Sequence, residues 1–240
     1  MNIAIITALL TATFLISPAF TTFTGFEAHQ LPIPQVDPPI QPAGYAFSIW
    51  GLIYLWLGFS AVFGIWKRRD DPAWQRARLP LILSLGIGTP WLYVATQSPI
   101  LATIMIILMA ATAIMALLKA STVDRWTFQA PVAIYAGWLT AASFVSLGST
   151  MAGYGIIFGG LGWAYVGIIG ALAVSVTIYA KRRAPEYLLT IIWALIGITV
   201  ANQDQEQTVV WLAQGGIAAL VIIMIWSGLS ARSFRASQGA

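Results

Sequence analysis

Apolar residues run in long blocks along the chain, roughly 3–22, 46–66, 79–97, 99–118, 129–149, 155–180, 187–202 and 208–230, and polar residues are confined to the gaps between them. A helix needs about 20 consecutive apolar residues to cross the hydrocarbon core of a bilayer, so the pattern predicts about eight transmembrane helices. The seventh block is the shortest. Pro90 stands inside the third and predicts a kink there, because proline removes a helical hydrogen bond. The polar Gln97-Ser98-Pro99 predicts a tight turn between the third and fourth helices. No basic residue precedes the first block and no small-x-small cleavage site follows it, so it is expected to persist as a helix rather than be removed as a signal. Residues 23–45 contain Pro32, Pro34, Pro38, Pro39 and Pro42, which forbid regular helix and favour a stiff, extended path. Such a segment is either a plain connector or a lid over a hollow between helices.

Charge tests this division independently. Alternating loops place Lys67, Arg68, Arg69, Arg76 and Arg78 on one side, together with Lys119 and Arg125, then Lys181, Arg182 and Arg183, then Arg232 and Arg235. These are all 12 basic residues of the chain. The opposite loops hold Glu27, Asp37, Asp204 and Glu206 and no Lys or Arg. Basic loop residues mark the cytoplasmic side, which predicts a multi-pass membrane protein with both termini cytoplasmic.

Composition agrees. Of 240 residues, 59% are hydrophobic and only 8% charged, with a mean hydropathy of +0.81. A soluble domain carries roughly 25% charged residues, so most of this surface must meet lipid. The net charge of +4 comes from short clusters at span ends, which suit anionic headgroups, and no nucleic-acid partner is expected. There is no cysteine, which excludes disulfides, thiolate catalysis and cysteine-bound metals.

Candidate chemistry is mostly aromatic. Among 11 tryptophans, Trp66, Trp126 and Trp211 fit an interfacial belt. Phe47, Trp50 and Tyr54 share one helix face at i, i+3 and i+7; Tyr135, Trp138 and Ala142 repeat the spacing; Trp91 follows Pro90. Such stripes serve either packing or a ligand wall. Gly155 and Gly159 form a GxxxG pair, followed by Gly160, Gly162, Gly167 and Gly170, a pattern that permits close helix approach within the chain or between subunits. The predicted spans hold no acidic, basic or His residue, which argues against a proton- or ion-coupled transporter. Asp70-Asp71 reads as a solvated loop without a second acidic cluster, and Ser48, Ser60, Ser84, Ser143 and Ser146 lack a His partner for nucleophilic catalysis. No enzyme, metal site or cofactor is expected.

One segment is specific enough to suggest a family. Pro42-Ala43-Gly44-Tyr45-Ala46-Phe47-Ser48-Ile49-Trp50-Gly51-Leu52-Ile53-Tyr54 resembles the second-helix motif P-x-G-[WY]-x-F-x-x-W-x-x-[IL]-Y of the tryptophan-rich sensory protein (TspO, or translocator protein) family. Trp91 stands at that family's third-helix Trp, and Pro131, Tyr135, Trp138 and Ala142 resemble its fifth-helix pattern. Gly88 and Ser146 occupy positions where the family carries Asn. The resemblance implies an all-α fold in which residues 1–150 form a five-helix TspO-like transmembrane bundle. Residues 151–240 would add a three-helix extension with a short cytoplasmic tail.

It also implies a membrane receptor, sensor or carrier that binds a hydrophobic planar molecule, such as a porphyrin, sterol or carotenoid. The pocket would lie under the first loop. Its expected ligand-binding residues are Tyr45, Phe47, Trp50 and Tyr54 from the second helix, Trp91 from the third, and Tyr135, Trp138 and Ser146 from the fifth. The glycine-rich later spans leave open a structural or assembly subunit of a larger membrane complex, with a homodimer or other membrane partner. A facilitative transporter is a third expectation.

Overall fold

The computed structural model describes residues 2–21, 23 and 25–238, with side chains through Leu229. Among the described residues the chain is helical without strands. Its helices are α1 (Ile3–Ile16), α2 (Ile49–Lys67), α3 (Pro72–Gly88), α4 (Trp91–Gln97), α5 (Pro99–Lys119), α6 (Ala130–Gly153), α7 (Gly160–Lys181), α8 (Pro185–Asn202) and α9 (Gln207–Gln238). Counting α3 and α4 as one broken rod, seven helical segments are long and apolar enough to cross a membrane, and the shorter Ile3–Ala19 is an eighth apolar helix.

Local chemistry sets the boundaries. Asn2, Asp71 and Ser98 cap α1, α3 and α5 by accepting from the backbone N–H groups of Ala4, Ala73 and Leu101. Prolines fill the first positions of α3, α5 and α8, where a missing N–H costs nothing. The kink expected at Pro90 is a full break: α3 ends at Gly88 and α4 resumes at Trp91. The first helix is shorter than its apolar run. It gives way at Ile16 to a 3-10 turn containing Pro18, which cannot donate to a continuing α-helical ladder.

Two expectations change. Gly155 and Gly159 are not a helix-packing pair, because α6 ends at Gly153 and α7 begins at Gly160; Gly155 has φ +66°, a turn conformation. The spans are also not free of charge. Helices begin upstream of the apolar blocks, so Arg78, Arg125 and Glu186 fall within the helical spans near their starts. Arg78 is buried. It donates to the carbonyl oxygens of Gly64, Arg68 and Arg69 at 3.0, 2.9 and 2.7 Å, closing the C-terminal end of α2. Its charge thus meets the negative end of that helix's dipole instead of a carboxylate. Buried Glu186 accepts from Arg125 at 2.6 and 3.0 Å.

Asn2 and the late part of α9 lie at one end of the bundle. Asn2 Nδ2 donates to Asp70 at 2.7 Å, which sets the N-terminus beside the α2–α3 turn. Arg183 donates to the Ser227 carbonyl at 3.1 Å, which sets the late part of α9 beside the α7–α8 turn. At this basic end Arg68 grips Asp124 with two bonds of 2.8 and 3.1 Å, Trp74 donates to the same carboxylate at 2.8 Å, and Trp74 stacks on Phe128 with centroids 4.0 Å apart.

The bundle is built around α6. In its span 78% of the most apolar window is buried, against 22% for the span ending in α2. Helices α2, α5, α7 and α8 all pack against α6. Small residues admit them: a Cβ on Gly137 would sit 2.8 Å from the Tyr187 carbonyl of α8, and one on Gly170 would sit 2.5 Å from the Phe144 ring.

Candidate functional site

At the end opposite the basic cluster, the proline-rich loop folds back over the helices. Ile33 N–H donates to the Gly153 carbonyl at 2.8 Å, Gln30 Nε2 to Ala95 at 3.0 Å, Ala43 N–H to Gly197 at 3.0 Å, and Asn202 Nδ2 to Pro39 at 2.9 Å. These bonds fasten the loop to the ends of α4, α6 and α8. Leu31 and Ile40 point inward and are buried. The segment is therefore packed over a hollow and is not a free connector.

Beneath it lies a cavity of about 80 Å³. The loop supplies Phe23, Phe26, Ile40, Gln41 and Pro42; the turn Gly44–Ser48 supplies Phe47; α4 supplies Trp91. Helix α6 provides a long wall that includes Trp138, Phe144, Ser146 and Ser149, while Ile168 of α7 and Ile191, Leu195 and Ile198 of α8 complete the enclosure. Among the described residues no charged side chain lines it. Trp91 is held by its indole N–H, which donates to the Ala102 carbonyl at 2.8 Å, and Phe23 meets its ring edge-on at 5.2 Å.

Four of the eight sequence-predicted site residues, Phe47, Trp91, Trp138 and Ser146, line this cavity. The other four sit elsewhere in the aromatic cluster. Trp50 stacks on Tyr54 at 5.3 Å and meets Trp138 at 6.3 Å, behind the cavity wall. Tyr135 is fully buried and shares a 2.9 Å hydrogen bond with Ser84. Phe14 of α1 touches Trp50, Tyr54 and Tyr135 edge-on and joins them into one cluster. Tyr45 is half exposed and packs edge-on against Trp193 of α8 at 5.6 Å.

Ser146 belongs to a buried hydroxyl chain. Its Oγ lies 2.7 Å from Thr103 Oγ1, which lies 2.8 Å from Thr150 Oγ1. Gly88 is equally specific: a Cβ there would stand 2.8 Å from both Phe14 and Met109, so those side chains fill the room an amide would need.

A family model described as TSPO-like protein matches residues 2–226. The chain belongs to the TSPO-like protein family. It is an integral membrane protein of a family whose members are, in general terms, membrane sensors and ligand-binding proteins. The matched range runs through α7 and α8 into α9, so the helices that close the far wall of the cavity fall within the family likeness. No curated protein and no solved structure matches the chain significantly.

Sequence reasoning missed the cavity's second half. Phe23 and Phe26, which flank Gly25, were a legible signal of a loop that inserts rings; Gly25 itself sits at φ +140° against Gln41. The contributions of α7 and α8 had no such signal. Among the described residues no group of three or more His, Cys, Asp or Glu side chains is placed to hold a metal ion.

Proposed function

We propose that this TSPO-like protein is a membrane receptor, sensor or carrier that binds a hydrophobic planar molecule, tetrapyrrole-, sterol- or carotenoid-like, in the cavity under the proline-rich loop. The observation that carries this reading is an uncharged cavity walled by Phe47, Trp91 and Trp138 and roofed by an inserted loop. Aromatic faces suit flat ligands, and apolar clefts with few polar groups are typical small-molecule sites. Nothing in this reading requires catalysis; the protein acts by binding.

Size decides how binding would proceed. A cavity of about 80 Å³ is smaller than the ~150 Å³ hollow that holds a benzene molecule. A larger ring system therefore enters by displacing Phe23, Phe26 and Ile40, which fill the space from the loop. On this reading the loop is a lid, and residues 1–150 form the ligand-binding bundle while the 151–240 extension closes its remaining wall. The basic end faces the cytoplasm with both termini, so the lid opens on the opposite side.

The test is titration of purified protein with porphyrins, sterols and carotenoids, followed by tryptophan fluorescence. Binding is expected in the wild type and a loss of affinity in Trp138→Ala. If the wild type and the double variant Trp50→Ala, Trp138→Ala respond alike, this cavity is not the site.

A further inference from the structure

The polar groups of the cavity are few and unequal. Ser146 Oγ is already engaged with Thr103. Ser149, one helical turn further along the same wall, is buried, and its hydroxyl has no hydrogen-bond partner among the described residues. Gln41 is the roof counterpart. Its backbone N–H donates to Pro38 at 2.7 Å, but its side-chain amide has no hydrogen-bond partner among the described residues. Gln41 also borders a separate polar hollow on the outer side, formed with Asp37, Asn202 and Gln205. It therefore stands between an apolar interior and the aqueous surface. Below these two groups the walls are Trp138, Phe144 and Ile191, where the Trp138 indole N–H is the one donor without a hydrogen-bond partner among the described residues.

A buried hydroxyl left without a partner costs free energy until something bonds to it, and the partly exposed Gln41 amide stands at the water-facing rim of the same cavity. We propose that they receive the polar end of the ligand: the cavity takes an uncharged amphipathic molecule whose flat apolar body lies against Trp138, Phe144 and Ile191 and whose single hydroxyl or carbonyl group meets Ser149 and Gln41 beneath the loop. This rests on the proposed binding function and narrows its ligand class. A carboxylate head is disfavoured on two counts. Among the described residues no cationic side chain lines the cavity to compensate its desolvation, and the Lys- and Arg-free loops at this end carry Glu27, Asp37, Asp204 and Glu206. Acidic tetrapyrroles would thus be excluded from full entry, whereas neutral alcohols and ketones would be admitted.

The experiment holds the body constant and changes the head. Full-length protein in detergent is titrated with pyrene, 1-pyrenemethanol and 1-pyrenecarboxylate at pH 8, reading energy transfer from tryptophan, with protein-free micelles as the partition control. Wild type is expected to prefer the alcohol to the hydrocarbon and the hydrocarbon to the carboxylate. Ser149→Ala and Gln41→Leu should each weaken alcohol binding by roughly 3- to 10-fold and leave pyrene unchanged. Unaltered thermal unfolding would show that each variant folds. If the carboxylate binds as tightly as the alcohol, or if both variants shift all three probes equally, the head-group assignment is overturned while the binding reading stands. If no probe binds above the micelle control, or Trp138→Ala alters none of them, the binding reading fails and this inference with it.

Discussion

The indole N–H of Trp193, midway along α8, donates to the carbonyl oxygen of Ala46 at 2.8 Å. Ala46 belongs to the Pro42–Tyr54 segment that carries the family resemblance, and it is fully buried. The bond ties the loop–helix junction at the start of α2 to a helix almost 150 residues later in the chain. It makes α8 part of the site's framework. Replacing Trp193 by Phe keeps most of the ring and removes the donor, leaving the Ala46 carbonyl only its local bond from the Ile49 N–H. The expected cost is about 0.5–1.5 kcal/mol, seen as a lower thermal midpoint in detergent. Trp211→Phe, at an exposed position, should leave the midpoint unchanged.

Close packing at the same junction gives a second expectation. A Cβ on Gly197 would lie 2.8 Å from Pro42 Cβ and 2.9 Å from Ala46 Cβ, neither of which can swing aside. Gly197→Leu should push the loop from α8 at a cost of roughly 1–3 kcal/mol or more and should speed proteolysis within residues 23–45. Gly215→Leu, where a side chain meets open space, serves as the control and should change neither.

Gly88 offers a test of why the expected amide is missing. Asn at this position meets the Phe14 ring and Met109 Cε, both 2.8 Å from the new Cβ. Gly88→Asn should destabilise the protein by roughly 1–3 kcal/mol. Combining it with Phe14→Ala should recover part of that loss, because the two residues contend for one space. A double-mutant cycle from thermal unfolding reads the coupling; strict additivity would show that Phe14 is not the obstacle.

Asp124 sets an acid limit at the basic end. Hydrogen bonding from Arg68 holds its carboxyl below the ordinary carboxylate value; burial opposes this, and the Trp74 indole and the Arg68 charge reinforce it. A depressed pKa means the folded state favours the ionised form, so the stabilisation is present above the ordinary carboxylate range. It is lost as pH falls through the depressed folded value. The stability gap between wild type and Asp124→Asn should therefore be widest near neutrality and shrink on acidification. Thermal unfolding of both proteins between pH 7 and pH 3 checks this, and a gap independent of pH would refute it.

Much of the architecture was legible because membrane insertion writes itself into one dimension. Apolar blocks from residue 3 to residue 230 marked the spans, and the basic clusters marked one end, where Asn2 meets Asp70 and Arg183 meets Ser227. The site was only half legible. Phe47, Trp91, Trp138 and Ser146 announced themselves through motif and spacing, yet Trp50, Tyr54 and Tyr135, drawn from the same stripes, pack behind the wall. Helical spacing puts residues on a shared face but does not say whether that face meets a hollow or Phe14.

The sequence by itself determined that the chain lives in a bilayer, where its apolar helical segments fall, and which motif begins its second helix, because transfer from water to lipid is a property of each segment alone. Only the tertiary structure decided that α6 is the buried centre, that Trp193 and Gly197 of α8 hold the loop, and that Ser149 and Gln41 face the cavity. The physical reason is that spans immersed in lipid are apolar all round, so no polar stripe marks the outside of a helix. Which face turns inward is left to side-chain packing and to a few hydrogen bonds between residues far apart in the chain.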